Sequence, residues 1–139
     1  MKRDTRTVDD LLNEEYKPKS SKTSGAILEA YITFDPADKV SVGNMGELHA
    51  VAWLEVNGFT VTKHDTKAPG KVDIEAERDD GAILVQVKSS ISSEVPADPS
   101  SDEIKAIKSR ATKTERTAWI AKVTLKMDGS LRRISWSKL

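Results

Sequence analysis

Between residues 72 and 88 two short runs alternate apolar and polar side chains, and their pairing is the tightest constraint the chain carries. Val72, Ile74 and Ala76 interleave with Asp73, Glu75 and Glu77, while Ile83, Val85 and Val87 interleave with Ala82, Leu84, Gln86 and Lys88. Such alternation puts successive side chains on opposite faces of a strand, and Asp79, Asp80 and Gly81 between the runs supply a turn. A β-hairpin follows. Residues directly opposed on paired strands point to the same side, so burying both apolar sets together requires facing residue numbers that sum to an odd number. Two turns satisfy that parity: Asp79-Asp80 opposes Asp73 to Gln86, and Asp80-Gly81 opposes Asp73 to Lys88. The Asp-Gly turn is slightly preferred because glycine accepts positive φ. Either turn puts Asp73, Gln86 and Lys88 on one face, across about 5 Å between strands.

The flanking segments extend this hairpin into a domain. Asn44 with Glu47 three residues on has the pattern of a capping box, Leu48, Val51, Ala52 and Val56 recur at helical spacing, and Gly58 is a natural stop. A strand at FTVTK and a loop at TKAPG lead into the hairpin. Beyond it, Ser100 and Glu103 form a second capping-box pattern opening a helix through Ile104, Ile107 and Ala111, which ends near Glu115. TAWIAKVTLK and LRRISW, joined at Asp128-Gly129, give two more strands. The expected order is αβββαββ, an α/β fold with a central mixed sheet flanked by helices. Residues 43–139 form the domain. Residues 1–42, with a short helix around Val8 to Tyr16 and the polar stretch KPKSSKTS, read as a flexible or partner-binding arm.

The 139 residues suit one core and not two. The chain has no cysteine, which removes disulfides, thiolate metal sites and cysteine nucleophiles, and fits a reducing, cytoplasmic setting. No run approaches the roughly 18 apolar residues of a membrane span, and the opening residues lack the apolar stretch of a signal peptide. The 22 basic and 22 acidic side chains cancel, but they are unevenly placed. Residues 43–100 hold 5 Lys/Arg against 10 Asp/Glu, and residues 101–139 hold 10 against 4. An acidic middle suits a metal and a basic end suits phosphate, although solvated faces on ordinary elements would carry the same charges.

An acid, an amide and an amine on one strand face can bind a hard cation, although an exposed hairpin face carries the same residue types for solubility alone. Magnesium takes carboxylate, carbonyl, water and phosphate oxygens, and Asp73 with the Gln86 carbonyl supplies some of these. The Lys88 ammonium could steady phosphate charge, or help orient and deprotonate an attacking water if its surroundings lower its pKa. Phosphodiester hydrolysis needs such parts.

GELHAVAWLEVNGF, then KVDI, then LVQVK, resembles the PD-(D/E)XK nucleases, most closely their Mrr-type restriction and Holliday-junction-resolvase-like branches, over roughly residues 43–125. The resemblance implies a restriction-endonuclease-like core binding Mg²⁺ or Mn²⁺ at Glu47, Asp73 and Gln86, with Lys88 completing the catalytic set. It implies a metal-dependent deoxyribonuclease acting on double-stranded or branched DNA, either structure-selective or restriction-like. Two departures stand out: no proline directly precedes Asp73, Pro69 lying four residues earlier, and Gln86 stands where many members carry Glu or Asp. The Mrr-type branch also uses Gln there. Thr66 falls in the loop where some junction-resolving relatives place a catalytic hydroxyl.

Plainer roles stand beside these. Glu47 would serve equally as the third residue of a capping box, and Glu75 as a further ligand or a solvated strand acid. His49 and His64 lack a visible partner and receive no role. Trp53, Trp119 and Trp136 sit within apolar patterns and belong to packing. Lys105, Lys108, Arg110, Lys113 and Arg116 on or just past the second helix, with Arg132 and Arg133 near the final turn, could track a phosphate backbone. A nuclease that cuts both strands often works as a symmetric pair, so a homodimer is one candidate arrangement. Two rival readings are a nucleic-acid-binding module that kept the fold without catalysis, and a protein-interaction accessory domain.

Overall fold

The computed structural model describes residues 31–64 and 74–139. Residues 31–33 are helical. Helix α1 (Lys39–Val56) is followed by strands β1 (Thr60–His64), β2 (Ile74–Arg78) and β3 (Gly81–Ile91), helix α2 (Ser101–Lys113) and strands β4 (Thr117–Leu125) and β5 (Leu131–Lys138). The order αβββαββ is the one expected. The strands form one sheet in the order β1-β2-β3-β4-β5, antiparallel except for β3 and β4, which run parallel. Parallel neighbours need a long crossover, and α2 provides it.

The two faces of the sheet are covered by different helices. Ile74, Ala76, Ile83, Val85, Trp119, Ala121, Val123, Ile134 and Trp136 pack with Val42, Met45, Ala50, Trp53 and Leu54 of α1. On the other face Leu84 and Ala118 pack against Ile107 and Ala111 of α2. Cover on both sides explains why Ile83, Leu84, Val85 and Gln86 are buried in succession. All three tryptophans are buried, and the rings of Trp53 and Trp136 lie 4.9 Å apart, in the packing role expected of them.

Two local expectations give way. Helix α1 begins at Lys39, and its N-cap is Asp38, whose side chain accepts from the Val40 N–H. Asn44 is therefore an exposed residue inside the helix, and Glu47 completes no capping box there. Gly43 and Asn44 look like an interruption, but the neighbouring Val42 and Met45 are both buried against the sheet, and that packing outweighs their weak propensity. Gly46 has a separate purpose. A Cβ at this position would lie 1.9 Å from Ser89 Oγ, so only glycine lets α1 approach β3 this closely.

The hairpin register is the second correction. Ile74 faces Val85, Ala76 faces Ile83, and Arg78 faces Gly81, so the turn is Asp79-Asp80 rather than Asp80-Gly81. Neither aspartate has positive φ, nor does Gly81; a two-residue turn with negative φ needs no glycine. Arg78 Nε pairs with Asp80 at 3.1 Å across it. The parity argument itself holds, since facing numbers sum to an odd value throughout. In the β4–β5 hairpin, by contrast, Gly129 does adopt positive φ, at 90°. Above that turn the register slips: Thr124 faces Arg133 while Leu125 faces Leu131, leaving Arg132 as the extra residue of a β-bulge.

Candidate functional site

Gln86 and Lys88 lie two residues apart on β3 and share the face that carries Leu84, the face covered by α2. The first turn of α2 meets them there. Ser100 caps the helix, its Oγ accepting from Glu103 N at 3.1 Å, and Glu103 Oε1 accepts from Ser100 N at 3.0 Å. This is the reciprocal capping box expected from the sequence. The other carboxylate oxygen, Oε2, accepts from Lys88 Nζ at 2.7 Å and from Gln86 Nε2 at 2.5 Å. One carboxylate thus closes the helix end and fixes both strand side chains.

The electrostatics follow from these contacts. Hydrogen bonding by Lys88, then by the Ser100 N–H, holds the Glu103 carboxyl down at about 2, against the opposing effect of burial. Because Gln86 spends its N–H on Glu103, the amide oxygen is the end turned away from that carboxylate. Gln86 is 3% exposed, deep enough that its orientation is set by this bond rather than by water.

The other residues singled out from the sequence are dispersed. Asp73 and Thr66 lie outside the described residues, as does Pro69. Glu47 is half-buried on α1, the helix covering the opposite face of the sheet; it neighbours Gly46, whose backbone packs on Ser89 beside Lys88. Glu75 is bound to Arg110 Nη2 at 2.6 Å, a tie between β2 and α2 rather than a solvated acid. Arg110 is accordingly turned toward the sheet, and Arg116 likewise reaches Glu77 Oε1 at 2.6 Å and the Ala76 carbonyl at 3.2 Å. Lys105, Lys108 and Lys113 are exposed on α2. Arg132 and Arg133 are exposed on β5 and line a pocket with Lys122.

His49 is buried and its Nε2–H donates to the Gly129 carbonyl at 2.9 Å. Burial lowers its pKa, with the Gly129 bond opposing. It stitches α1 to the β4–β5 turn and takes no part in the Lys88 face. Among the described residues no three His, Cys, Asp or Glu side chains are grouped so as to hold a metal ion.

Glu103 is the residue of the candidate site that sequence reasoning missed in part. Its capping role was legible from Ser100-x-x-Glu103, but nothing local says that this helix end lies over Gln86 and Lys88. The placement depends on the β3–α2–β4 crossover.

No family model matches the chain. A stretch of 54 residues is 35% identical to the UPF0102 proteins of two strains of Treponema pallidum, covering 38% of this chain and 43% of each relative. The match therefore spans less than half the length of those relatives. Among solved structures, the Holliday junction resolvase Hjc of Archaeoglobus fulgidus superimposes with a TM-score of 0.47 at 21% identity, over 56% of this chain and 64% of that one.

Proposed function

We propose that the chain is the core of a Mg²⁺- or Mn²⁺-dependent deoxyribonuclease that hydrolyses phosphodiester bonds, with Lys88 and Gln86 at its centre. The observation that carries this reading is the joint hold of Glu103 on both side chains, which preorganises an ammonium and an amide on one sheet face. Preorganised charge costs no rearrangement when the transition state forms. The reading rests also on the KVDI and LVQVK resemblance.

The donor set suits a hard cation. Asp73, Glu47 and the Gln86 amide oxygen are the ligands the resemblance implies, and oxygen ligands of this kind are what Mg²⁺ takes; Glu47 would have to reach the cation from α1, the helix on the opposite face of the sheet. When bound, the cation polarises the phosphate and acidifies a water molecule. The chain's own residues do the rest. Lys88 offers positive charge to the phosphate oxygens, Glu103 keeps Lys88 and Gln86 in place, and the exposed Lys105, Lys108 and Lys113 bring the nucleic-acid backbone to α2.

The ion pair between Lys88 and Glu103 also favours a second reading, in which the same face binds DNA and performs no chemistry, because each charge already has a partner. Incubating labelled four-way, flapped, linear and supercoiled DNA with Mg²⁺, Mn²⁺ or EDTA separates the two. Cutting that needs metal supports the nuclease, and the preferred substrate tells a junction resolvase from a restriction-like enzyme. Retention of intact DNA under all conditions supports the binding module.

A further inference from the structure

Beside the Lys88 face lies a pocket of about 490 Å³, walled by the segment 92–96 on one side and by β4 and β5 on the other. Its lining is polar and basic: Lys122, Arg132 and Arg133 stand against the carboxylate of Glu94, among Thr124, Ser135 and Ser137. The backbone is specially shaped to build it. In a regular strand Arg132 and Arg133 would point to opposite faces, but the bulge at Arg132 lets both line the same cavity. Ser92 adopts φ of +61°, a conformation uncommon outside glycine, and its carbonyl accepts from Arg132 Nη1 at 2.5 Å. Ser90 Oγ donates to the Glu94 carbonyl at 2.6 Å and secures the segment from beneath.

We propose that this pocket seats a phosphate and sugar of a single nucleic-acid strand, next to the phosphodiester presented to Lys88. The inference rests on the nuclease reading above and names its substrate class. Three lines converge on it. Arginine forks and hydroxyls are the donors that phosphate oxygens take, and three cations favour an anion. Among the described residues no aromatic side chain lines the cavity, so a base would find only the arginine planes to stack on, and the hydroxyl and guanidinium donors favour the backbone. The pocket adjoins the candidate centre: Lys122 faces Lys88 across the parallel β3–β4 pair and Ser135 across the β4–β5 pair, so a row of hydrogen-bond donors, two of them cationic, crosses the sheet in steps of about 4.8 Å. Lys122 donates to the exposed Asp98, which uses one of its three N–H donors. A volume of this size accepts one nucleotide unit but not a duplex, which would rest on the rim.

The test is binding of a short labelled single-stranded DNA to the full chain in EDTA, at several salt concentrations, so that catalysis plays no part. Replacing both arginines, Arg132→Ala with Arg133→Ala, should weaken binding about tenfold or more and reduce the salt slope by about 1. Since Arg132 also anchors Ser92, Ser137→Glu provides a second variant that leaves that bond intact and sets a carboxylate in the pocket wall; it should weaken binding similarly. Lys126→Ala, outside the pocket, should change little. Unchanged affinity and slope in the arginine and glutamate variants overturns the proposal, whether or not the parent cuts DNA. Failure of the parent to bind single strands, or tighter binding of duplex with the same loss, overturns it as well. Loss of metal-dependent cutting alone would instead strike only the nuclease reading.

Discussion

Glu103 Oε2 lies 2.7 Å from Lys88 Nζ, joining the first turn of α2 to the middle of β3 across a half-buried boundary. The same side chain closes the helix N-terminus, so charge, cap and strand are coupled at a single residue.

That coupling should appear as acid sensitivity. The Glu103 pKa is held at about 2 in the folded chain, from an ordinary value of 4.5. A depressed acid contributes stability that is present above the ordinary value and is lost as pH falls toward the folded one. Thermal or urea unfolding between pH 7 and pH 2 should therefore lose the Glu103 contribution from near pH 4.5 downward. After discounting for solvent screening, the contribution is about 1 kcal/mol. Glu103→Gln should be less stable than the parent at neutral pH by about that amount, and the gap should close in acid. A constant gap across the range would contradict the assignment.

The glycines of α1 offer a paired test. Gly46→Ala must push Ser89 away, and overpacking of this kind costs about 1–3 kcal/mol; a Cβ at Gly43 meets nothing within 4 Å. Since alanine is the better helix former, Gly43→Ala should stabilise by roughly 0.5–1 kcal/mol. Denaturant midpoints of the two variants should move in opposite directions, and movement in the same direction would contradict the helix placement.

The legibility of this molecule divides by range. Period-two alternation in Ile74, Ala76, Ile83 and Val85 was enough to derive which side chains share the face under α1, because it depends only on neighbours along the strand; that α2 also buries Leu84 and Gln86 on the other face was not derivable from it. The turn was not derivable, since Asp79-Asp80 and Asp80-Gly81 satisfy the same parity and differ only in register. The start of α1 was concealed by Asn44 and Glu47, which mimic a capping box while Asp38 caps the helix. For the site, the shared face of Gln86 and Lys88 was legible, whereas Glu103 and Lys122 join it only through the α2 crossover and the β3–β4 pairing. The bulge that recruits Arg132 leaves no signal in Leu-Arg-Arg-Ile beyond the doubled arginine.

His49 carries a second pH dependence in a different window. Burial lowers its pKa below the ordinary 6.5, so the unfolded chain binds the proton more readily than the folded one. Stability from this residue is complete above about pH 6.5 and falls as pH drops through the lowered folded value. Unfolding midpoints should decline already below about pH 6.5, before the Glu103 window opens. The substitution His49→Asn should flatten that part of the curve; an unaltered decline would assign it elsewhere.

The most direct measurement of the central claim is the rate of Mg²⁺-dependent DNA cleavage by the parent, Lys88→Ala and Asp73→Ala, with folding checked by circular dichroism. The account predicts cleavage by the parent, abolished by EDTA, and a loss of about a hundredfold or more in each folded variant. Cleavage that persists in folded Lys88→Ala at the parent's rate would contradict it.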